Sequence, residues 1–225
     1  MSSLSETAAL LADHTRATFC QALLDGRAWT AGELARSAGV SASTASEQLS
    51  RLIEGGLLAE ERQGRHRYVR LAGPEAAALI EAVASFAPGT PRPRNLRQSV
   101  QAGAEARART CYDHLAGELG VTLADAMVSR GLVSDVAGLA VTPAGVAWLA
   151  DALDYRHPAA ARRPLVRSCL DWTERRSHLA GAVGAALCAT ALERQWVRRI
   201  GSGRAVKVTA VGAGAFRELL GTEVA

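Results

Sequence analysis

The sequence predicts a mainly α-helical protein with small β-hairpins. Three observations point to this class. An amphipathic helical period recurs along the chain, and short strand-like segments separated by glycine interrupt it. In addition, 48% of the 225 residues are apolar although only 4% are aromatic, so the core is expected to be built from Ala, Leu and Val. A chain of this length forms one large domain or two small ones.

Three short helices are expected near the start of the chain. The first spans residues 1–13, and the second runs from His14 to Asp25, where Gly26 stops it. The third covers Ala31–Ser37, because Thr30 and Glu33 have the spacing of a capping box.

The next helix, residues 41–54, is the most informative segment. Ser41 is a good N-cap, and no Pro or Gly interrupts the run. One side of the helical period is apolar: Val40, Ala45, Leu49, Leu52 and Ile53. The other side carries Ser43, Thr44, Glu47, Ser50 and Arg51, with Gln48 at its margin. Hydroxyl and carboxamide groups suit base edges, and a guanidinium suits phosphate, so this face predicts DNA contact.

A hairpin with a basic tip is predicted directly after this helix. Gly55-Gly56 ends the helix, and residues 57–62 and 66–71 have strand patterns around a turn at Gln63-Gly64. A helix–turn–helix followed by such a hairpin is a winged helix–turn–helix. The candidate DNA-binding residues are therefore Ser41, Ser43, Thr44, Glu47, Gln48, Arg51, Arg62, Arg65, His66 and Arg67. The alternative is an ordinary solvated helix face.

Overall charge does not by itself indicate DNA binding. The chain has a net charge of +4, but residues 1–88 hold eight Arg against ten Asp and Glu. DNA binding must therefore depend on the local placement of charge.

Pro74 begins a further predicted helix, residues 75–86, with an apolar stripe. This stripe and the one on the first helix exceed what a small core needs. We expect a homodimer seam, because paired half-sites are the usual geometry for this motif. The alternative is packing against a second domain. The apolar stripe consists of Ala76, Leu79, Ile80, Val83 and Phe86.

The segments LADHTRATFCQALL, GELARSAGVSASTASEQLSRLIEGGLL and GRHRYVRL, in this order, resemble the ArsR family of bacterial repressors. The resemblance covers about residues 4–87. It implies a homodimeric winged-helix DNA binder whose affinity for DNA an inducer lowers. The segment GELARSAG lacks the cysteine pair that holds soft metals in some members, and EAAALIEAVASFAP lacks histidine, so arsenic sensing is not implied.

The composition divides the chain into two parts. The Pro-rich linker, residues 88–95, separates a DNA-binding domain, 1–87, from a C-terminal effector or dimerisation domain, 96–225. HLAG occurs at His114 and again at His178, followed by matching glycines, so the second part is predicted to be a duplication of about residues 97–154 and 163–221. Each copy is expected to form helix, helix, hairpin and helix in a winged-helix-like arrangement, with a ligand cleft between the copies.

Cysteine and histidine suggest a site in this second part. Cys111 and His114 are three residues apart on a predicted helix, and Cys169 and His178 occur near the corresponding place in the other copy. Together with Trp172 they are candidate effector ligands, for which zinc, copper or heme is considered. The alternative is that they are buried structural residues, since the two Cys–His spacings differ.

Other classes receive little support. The four cysteines form no CxxC pair, and neither a signal peptide nor an 18-residue apolar run is found, so a cytoplasmic protein with reduced thiols and no membrane contact is expected. No familiar catalytic motif occurs, so we expect no enzyme.

The sequence thus predicts a homodimeric repressor that binds a double-stranded DNA operator and is released by a small-molecule or metal effector. The alternative is a metal- or small-molecule-binding protein whose winged helix serves protein contacts.

Overall fold

The computed structural model describes residues 3–63, 66–86, 95–136, 138–201 and 203–224, with the backbone alone for His66 and Arg97. The chain divides into two compact units, Met1–Val83 and Ala84–Ala225. Most of the predicted linker, residues 88–94, lies outside the described residues.

Helices and small antiparallel hairpins make up the regular structure of both units, which confirms the predicted fold class. In the first unit the order is α1 (Leu4–Leu11), α2 (His14–Leu23), β1 (Trp29–Thr30), α3 (Ala31–Ala38), α4 (Ala42–Glu54), β2 (Leu58–Gln63), β3 (His66–Leu71) and α5 (Pro74–Ser85). The strands form one antiparallel sheet in the order β1-β3-β2. The sequence did not predict β1.

Local capping explains why the two central helices begin and end where they do. Thr30 and Glu33 form the predicted capping box at the start of α3, and Gly39 ends that helix with φ +68°. Ser41 caps α4 by accepting a hydrogen bond from the backbone N–H of Thr44. These caps satisfy backbone groups that would otherwise lack partners, and they fix the turn between α3 and α4.

The first unit has a small aliphatic core. Its members come from every layer of the unit and are almost fully buried, so that the sheet and helices α2 to α4 share one interior. They include Phe19, Leu23, Leu34, Ala45, Leu49, Leu52, Leu58, Val69 and Leu71.

The second unit contains the remaining helices and eight strands. In order these are α6 (Leu96–Arg107), β4 (Arg109–Cys111), β5 (His114–Ala116), α7 (Gly117–Ser129), β6 (Val133–Ser134), β7 (Ala140–Val141), α8 (Pro143–Leu153), β8 (Arg167–Leu170), β9 (Ser177–Ala180), α9 (Gly181–Glu193), β10 (Val197–Arg199), β11 (Val206–Val208) and α10 (Ala210–Leu220). Each strand pairs with its neighbour in a two-stranded antiparallel hairpin.

The predicted order of elements within each copy was wrong at its start. Two sets of elements, β4 to α8 and β8 to α10, each have the order hairpin, helix, hairpin, helix. The predicted first helix exists only before the first set, as α6, because residues 154–166 before the second set contain no helix. The second hairpins lie in the predicted segments, 132–141 and 196–208.

Equivalent glycines make equivalent contacts in the two sets. A Cβ on Gly120 would lie 2.5 Å from the carbonyl oxygen of Leu115, and one on Gly184 would lie 2.3 Å from that of Leu179. The same two hypothetical Cβ atoms would approach the Cβ of His178 and of His114, at 3.4 Å and 3.0 Å. Each of these glycines therefore admits the carbonyl oxygen of the preceding strand and lies beside a histidine from the other set.

The Thr-x-x-Gly motifs also have matching roles. The hydroxyl groups of Thr142 and Thr209 accept hydrogen bonds from the backbone N–H of Gly145 and Gly212, both at 3.0 Å. Each glycine in turn leaves room for the carbonyl oxygen of the residue directly before a strand, Leu132 before β6 and Trp196 before β10. The matching contacts favour the predicted duplication, which stays a prediction.

We predict that Gly120→Ala lowers the free energy of unfolding by about 1–3 kcal/mol, because the new methyl group overlaps backbone atoms that cannot move independently. Chemical denaturation followed by tryptophan fluorescence measures the change. Gly214→Ala is the control, since nothing lies within 4 Å of the position where its Cβ would be added. That variant should be as stable as the parent or more stable, and equal losses in the two variants would contradict the packing role of Gly120.

Candidate functional site

Helix α4 presents a polar face to solvent because its apolar face is buried. Ala45, Leu49 and Leu52 are each 0% exposed, while Glu47 and Arg51 on the other side are exposed. Turning the helix about its axis would expose two leucines, at a cost of about 1.5–3 kcal/mol for each. The core therefore determines which side chains α4 offers to a partner.

The start of α4 carries a cluster of hydroxyl groups. The Oγ of Ser41 lies 2.9 Å from the Oγ of Ser43 and 2.9 Å from the Oγ1 of Thr44. These groups lie where backbone N–H groups and the helix dipole favour an anion. The cluster is suited to contact a phosphate or the edge of a base.

Gln48 is less available than the sequence suggested. Its side-chain oxygen accepts a hydrogen bond of 2.6 Å from Nη1 of Arg16. The same guanidinium donates to the carbonyl oxygens of Leu10 and Ala9, at 2.6 Å and 2.9 Å. The Gln48 carboxamide is thus held by α2, and its NH2 group is what remains for a base edge.

The predicted cationic residues form ion pairs at the surface. Arg51 pairs with Glu47 one turn earlier, at 2.7 Å. In the hairpin, Arg62 and Arg67 lie opposite each other in register, and both donate to the carboxylate of Glu60, at 2.8 Å and 2.7 Å. The pKa of Glu60 is lowered, mainly because Arg62 donates a hydrogen bond to its carboxylate. The positive charges of Arg67 and Arg62 lower it further.

The tip of this hairpin is only partly described. Gln63 lies in β2, paired with His66, and not in the turn where it was predicted. Gly64, the other predicted turn residue, and Arg65 lie outside the described residues, and only the backbone position of His66 is given.

A second cluster forms inside the C-terminal unit. Cys111 and His114 were expected on a helix, and this was wrong: they face each other across the hairpin β4–β5. Cys169 and His178 face each other in the same way across β8–β9, so the two pairs are equivalent despite their different spacing. The four residues, here called the Cys–His cluster, are all buried, and one ligand atom of each lies within 4.8 Å of the others.

The two histidines meet at the centre of this cluster. The Nε2 atoms of His114 and His178 are 3.1 Å apart. A carboxylate faces the other nitrogen of each ring: Asp113 Oδ1 lies 3.4 Å from Nδ1 of His114, and Asp171 Oδ2 lies 3.2 Å from Nδ1 of His178. The N–H of His178 is not aligned for a hydrogen bond with that oxygen.

Both carboxylates are held by arginines. Arg163 binds Asp113 through two hydrogen bonds of 2.6 Å and 3.0 Å. Burial raises the pKa of Asp113, but hydrogen bonds with His114 and Arg163 outweigh that effect and hold it at about 2. Asp171 is fully buried, pairs with the fully buried Arg109 at 2.8 Å and accepts the backbone N–H of Gly117 at 2.7 Å. Both acids are therefore available as charged acceptors.

Burial and hydrogen bonding also act on the thiols. The hydrogen bond that Cys111 shares with Cys169, together with burial, raises the pKa of the Cys111 thiol to about 12. Trp172 does not belong to the four-residue group, since its ring lies over the guanidinium of Arg109 at 4.7 Å.

The cavity found between the two sets, β4 to α8 and β8 to α10, is small. A cavity of about 10 Å³ lies among apolar residues that include Leu115, Leu123, Leu179 and Leu187. A drug-sized ligand needs about 300–1,000 Å³, so this cavity admits neither heme nor an organic effector. It does not correspond to the ligand cleft that the sequence predicted.

Sequence reasoning did not find the residues that support these sites. Arg16 contacts Gln48 across 32 positions, and Arg109 contacts Asp171 across 62. No local pattern marks such pairs. The charged residues beside the repeated Cys and His were the available signal, because a histidine that binds a ligand often has a carboxylate beside it.

The described residues contain no helix long and apolar enough to cross a membrane.

Comparison with known proteins gives consistent results. A family model described as "Helix-turn-helix domain" matches residues 11–61. The chain is 38% identical over 223 residues to the "uncharacterized HTH-type transcriptional regulator YdfF" of Bacillus subtilis (strain 168). The aligned region covers 98% of this chain and 98% of YdfF.

Two solved structures align with part of the chain. The winged helix-turn-helix DNA-binding domain of Mb0332 from Mycobacterium bovis is 30% identical, covering 36% of this chain and 74% of that one with a TM-score of 0.34. The cadmium metal-sensor CMTR from Mycobacterium tuberculosis is 32% identical, covering 41% of this chain and 97% of that one with a TM-score of 0.32.

The full-length similarity to YdfF carries the family assignment, and the order of α3, α4, β2 and β3 agrees with it. The chain belongs to the family of HTH-type transcriptional regulators, and its N-terminal part is a winged helix–turn–helix.

Proposed function

We propose that this regulator is a homodimeric repressor that binds operator DNA through α4 and the β2–β3 hairpin and is released by an effector bound in its C-terminal half. Residues 1–87 bind DNA in this proposal, and residues 96–225 form the effector or dimerisation domain. The supporting observation is the exposed polar face of α4, with the paired arginines of the hairpin as a second basic surface.

The side chains divide by chemistry into two groups. Arg51, Arg62, Arg65 and Arg67 bind phosphates, and Ser43, Thr44 and the NH2 group of Gln48 read base edges. Ser41, Glu47 and His66 complete the proposed contact surface. Surface ion pairs are weak, commonly below about 1 kcal/mol, so phosphates replace Glu47 and Glu60 as partners of these arginines.

Exposed apolar side chains on α1 and α5 support a dimer. Leu4 is 87% exposed on α1, Leu79 and Val83 are 37% and 49% exposed on α5, and Phe86, directly after α5, is 88% exposed. Large side chains exposed together commonly mark an interface. A second copy packed on this surface gives the two-fold symmetry that places two recognition helices about 34 Å apart, one turn of DNA.

Release follows if the effector prefers a dimer in which this spacing is lost. An effector shifts the equilibrium only as far as its affinities for the two arrangements differ. The proposed repressor acts on chromosomal DNA in the cytoplasm.

We predict that Arg51→Ala weakens binding to the DNA upstream of the chain's own gene and lowers the slope of log affinity against log salt by about one, because one phosphate contact is lost. Fluorescence anisotropy titrations at several salt concentrations measure both quantities. Arg217→Ala is the control, since it removes an exposed arginine of the C-terminal unit that pairs with Glu223.

Equal salt slopes for Arg51→Ala, Arg217→Ala and the parent would contradict the proposed role of α4. Absence of DNA binding by the parent chain would favour the alternative, a ligand-binding protein whose winged helix contacts other proteins.

We predict that Glu60→Gln raises DNA affinity by about two- to five-fold at low salt, because Arg62 and Arg67 no longer have a carboxylate partner and the hairpin loses a negative charge. The same titration measures this. Glu61→Gln is the matched control, since Glu61 is the next residue and its carboxylate lies 3.9 Å from Arg70. If the affinity for DNA rises equally in both variants, the change in net charge alone explains the effect, and the proposed role of Glu60 is contradicted.

We predict that Val83→Asp converts the dimer to a monomer, because a charge in an apolar seam is costly to desolvate. Sedimentation equilibrium measures the mass of the particle in solution. The control is Val146→Asp, since Val146 has almost the same exposure, 52%, on α8. A Val83→Asp chain that stays dimeric, or two variants that dissociate alike, would exclude the seam on α5.

A further inference from the structure

The geometry points to a four-coordinate zinc site in the C-terminal unit, formed by Cys111 and His114 of hairpin β4–β5 and Cys169 and His178 of hairpin β8–β9. The assignment goes beyond DNA binding and does not depend on it. It rests on the contact between the two rings, the spacing of the four ligand atoms, the charges around them and the way the hairpins meet.

The contact between the two histidine rings brings two nitrogen ligands together. A carboxylate accepts hydrogen bonds but cannot donate them, so Asp113 and Asp171 favour a proton on Nδ1 of each ring. Each Nε2 atom then carries a lone pair, and the two atoms are 3.1 Å apart. A proton shared by the two nitrogens satisfies these lone pairs, and so does a metal ion, which would use the two neighbouring cysteines as well.

The distances fit a tetrahedral ion. Zinc–nitrogen bonds of 2.0–2.1 Å and zinc–sulfur bonds of 2.3 Å place two tetrahedral nitrogens about 3.3 Å apart and two sulfurs about 3.8 Å apart. The Nε2 atoms of His114 and His178 already have nearly this separation. The longest separation in the Cys–His cluster is at most 4.8 Å, so side-chain rotations that move ligand atoms by about 1 Å complete the coordination.

The charge balance selects a divalent ion. Arg163 neutralises Asp113, and Arg109 neutralises Asp171, so these two ion pairs add no net charge to the surroundings of the Cys–His cluster. Two thiolates and two neutral imidazoles then need a charge of +2, which zinc supplies and Cu(I) does not. Ca²⁺ and Mg²⁺ prefer oxygen ligands, so the S2N2 donor set disfavours them.

The two carboxylates lie next to the histidine ligands and would not contact the ion themselves. In histidine metal sites the ring nitrogen that does not bind the ion usually donates its N–H to a carboxylate or carbonyl oxygen, which fixes the orientation of the ring. Asp113 occupies this position for His114, and Asp171 lies 3.2 Å from Nδ1 of His178 without an aligned hydrogen bond. We therefore assign them a positioning role.

The ion joins two parts of the chain. Each hairpin supplies one Cys and one His, and the histidines are 64 residues apart in sequence. With four protein ligands no position stays open for substrate, which is the arrangement of structural and regulatory zinc sites and not of catalytic ones. Binding of zinc therefore stabilises the packing of β4–β5 and α7 against β8–β9 and α9.

The test is the zinc content of the chain after loading. The protein is purified without chelator or metal-affinity resin, incubated with Zn²⁺ as the only added metal, and then desalted. We expect about one zinc per chain in the parent and in Cys188→Ala, and less than about one tenth in Cys111→Ala and Cys169→Ala. Cys188 is the matched control, because it is a buried cysteine of the same unit outside the Cys–His cluster.

A measurement on the parent chain keeps the test valid if a variant does not fold. Replacing zinc by Co²⁺ should give the visible absorption of a tetrahedral ion and a near-ultraviolet thiolate-to-cobalt band, with one equivalent at saturation. Asp113→Asn should keep this spectrum and bind zinc about 10- to 100-fold more weakly. Asp125→Asn, which changes an exposed acid paired with Arg176, should bind zinc as the parent does.

Three results would overturn the assignment. The first is a zinc content that is the same in the cysteine variants and in the parent chain. The second is a parent chain that retains no zinc and whose peptide masses show a Cys111–Cys169 disulfide, and the third is a cobalt spectrum without the thiolate-to-cobalt band. Because none of these readouts involves DNA, a failure here is separate from a failure of the proposed repressor.

Discussion

Burial of the apolar stripe of α4 is the constraint on which the proposed DNA-binding surface depends. Ala45, Leu49 and Leu52 fill the space between α2, α3 and the sheet, with 0% exposure each. No other rotation of the helix buries them, so Ser43, Glu47 and Arg51 must face outward. A surface of this kind is therefore specified by residues that never touch DNA.

The hairpin uses its charges differently. Glu60 lies between two arginines whose positions the strand register fixes, and its carboxylate keeps both guanidinium groups near the hairpin surface in the absence of DNA. Residues 1–88 are slightly acidic overall. In the proposed complex, affinity for DNA therefore depends on where these few cations lie and on the exchange of their carboxylate partners for phosphates.

In the C-terminal unit the two similar halves complete each other's structure. Gly120 and Gly184 each make room for the carbonyl oxygen of the strand before them, and a Cβ on Gly184 would also lie 3.0 Å from the Cβ of His114. Neither hairpin supplies more than two members of the Cys–His cluster. This reciprocity is what a pseudo-two-fold duplication would produce, and the duplication stays a prediction.

Sequence patterns predicted the winged helix well because its signals are local. The capping box of Thr30 and Glu33 and the N-cap Ser41 were all visible within a few residues. The hairpin at Cys111 was missed because its strands have three residues and its turn contains Tyr112 at φ +55°, where no glycine marks a turn. The turn of the second hairpin was missed for the same reason, because Arg175 and not a glycine has the positive φ, +54°, in that turn. Partners such as Arg109 and Asp171 lie too far apart in sequence for any local pattern to connect them.

Hydroxyl-radical and methylation footprinting of the full-length chain on the DNA upstream of its gene tests the central claim most directly. If two copies insert α4 into successive major grooves, two protected segments will appear, related by two-fold symmetry and centred about 10 base pairs apart. Protection confined to the minor groove, or a single asymmetric segment, would contradict the account.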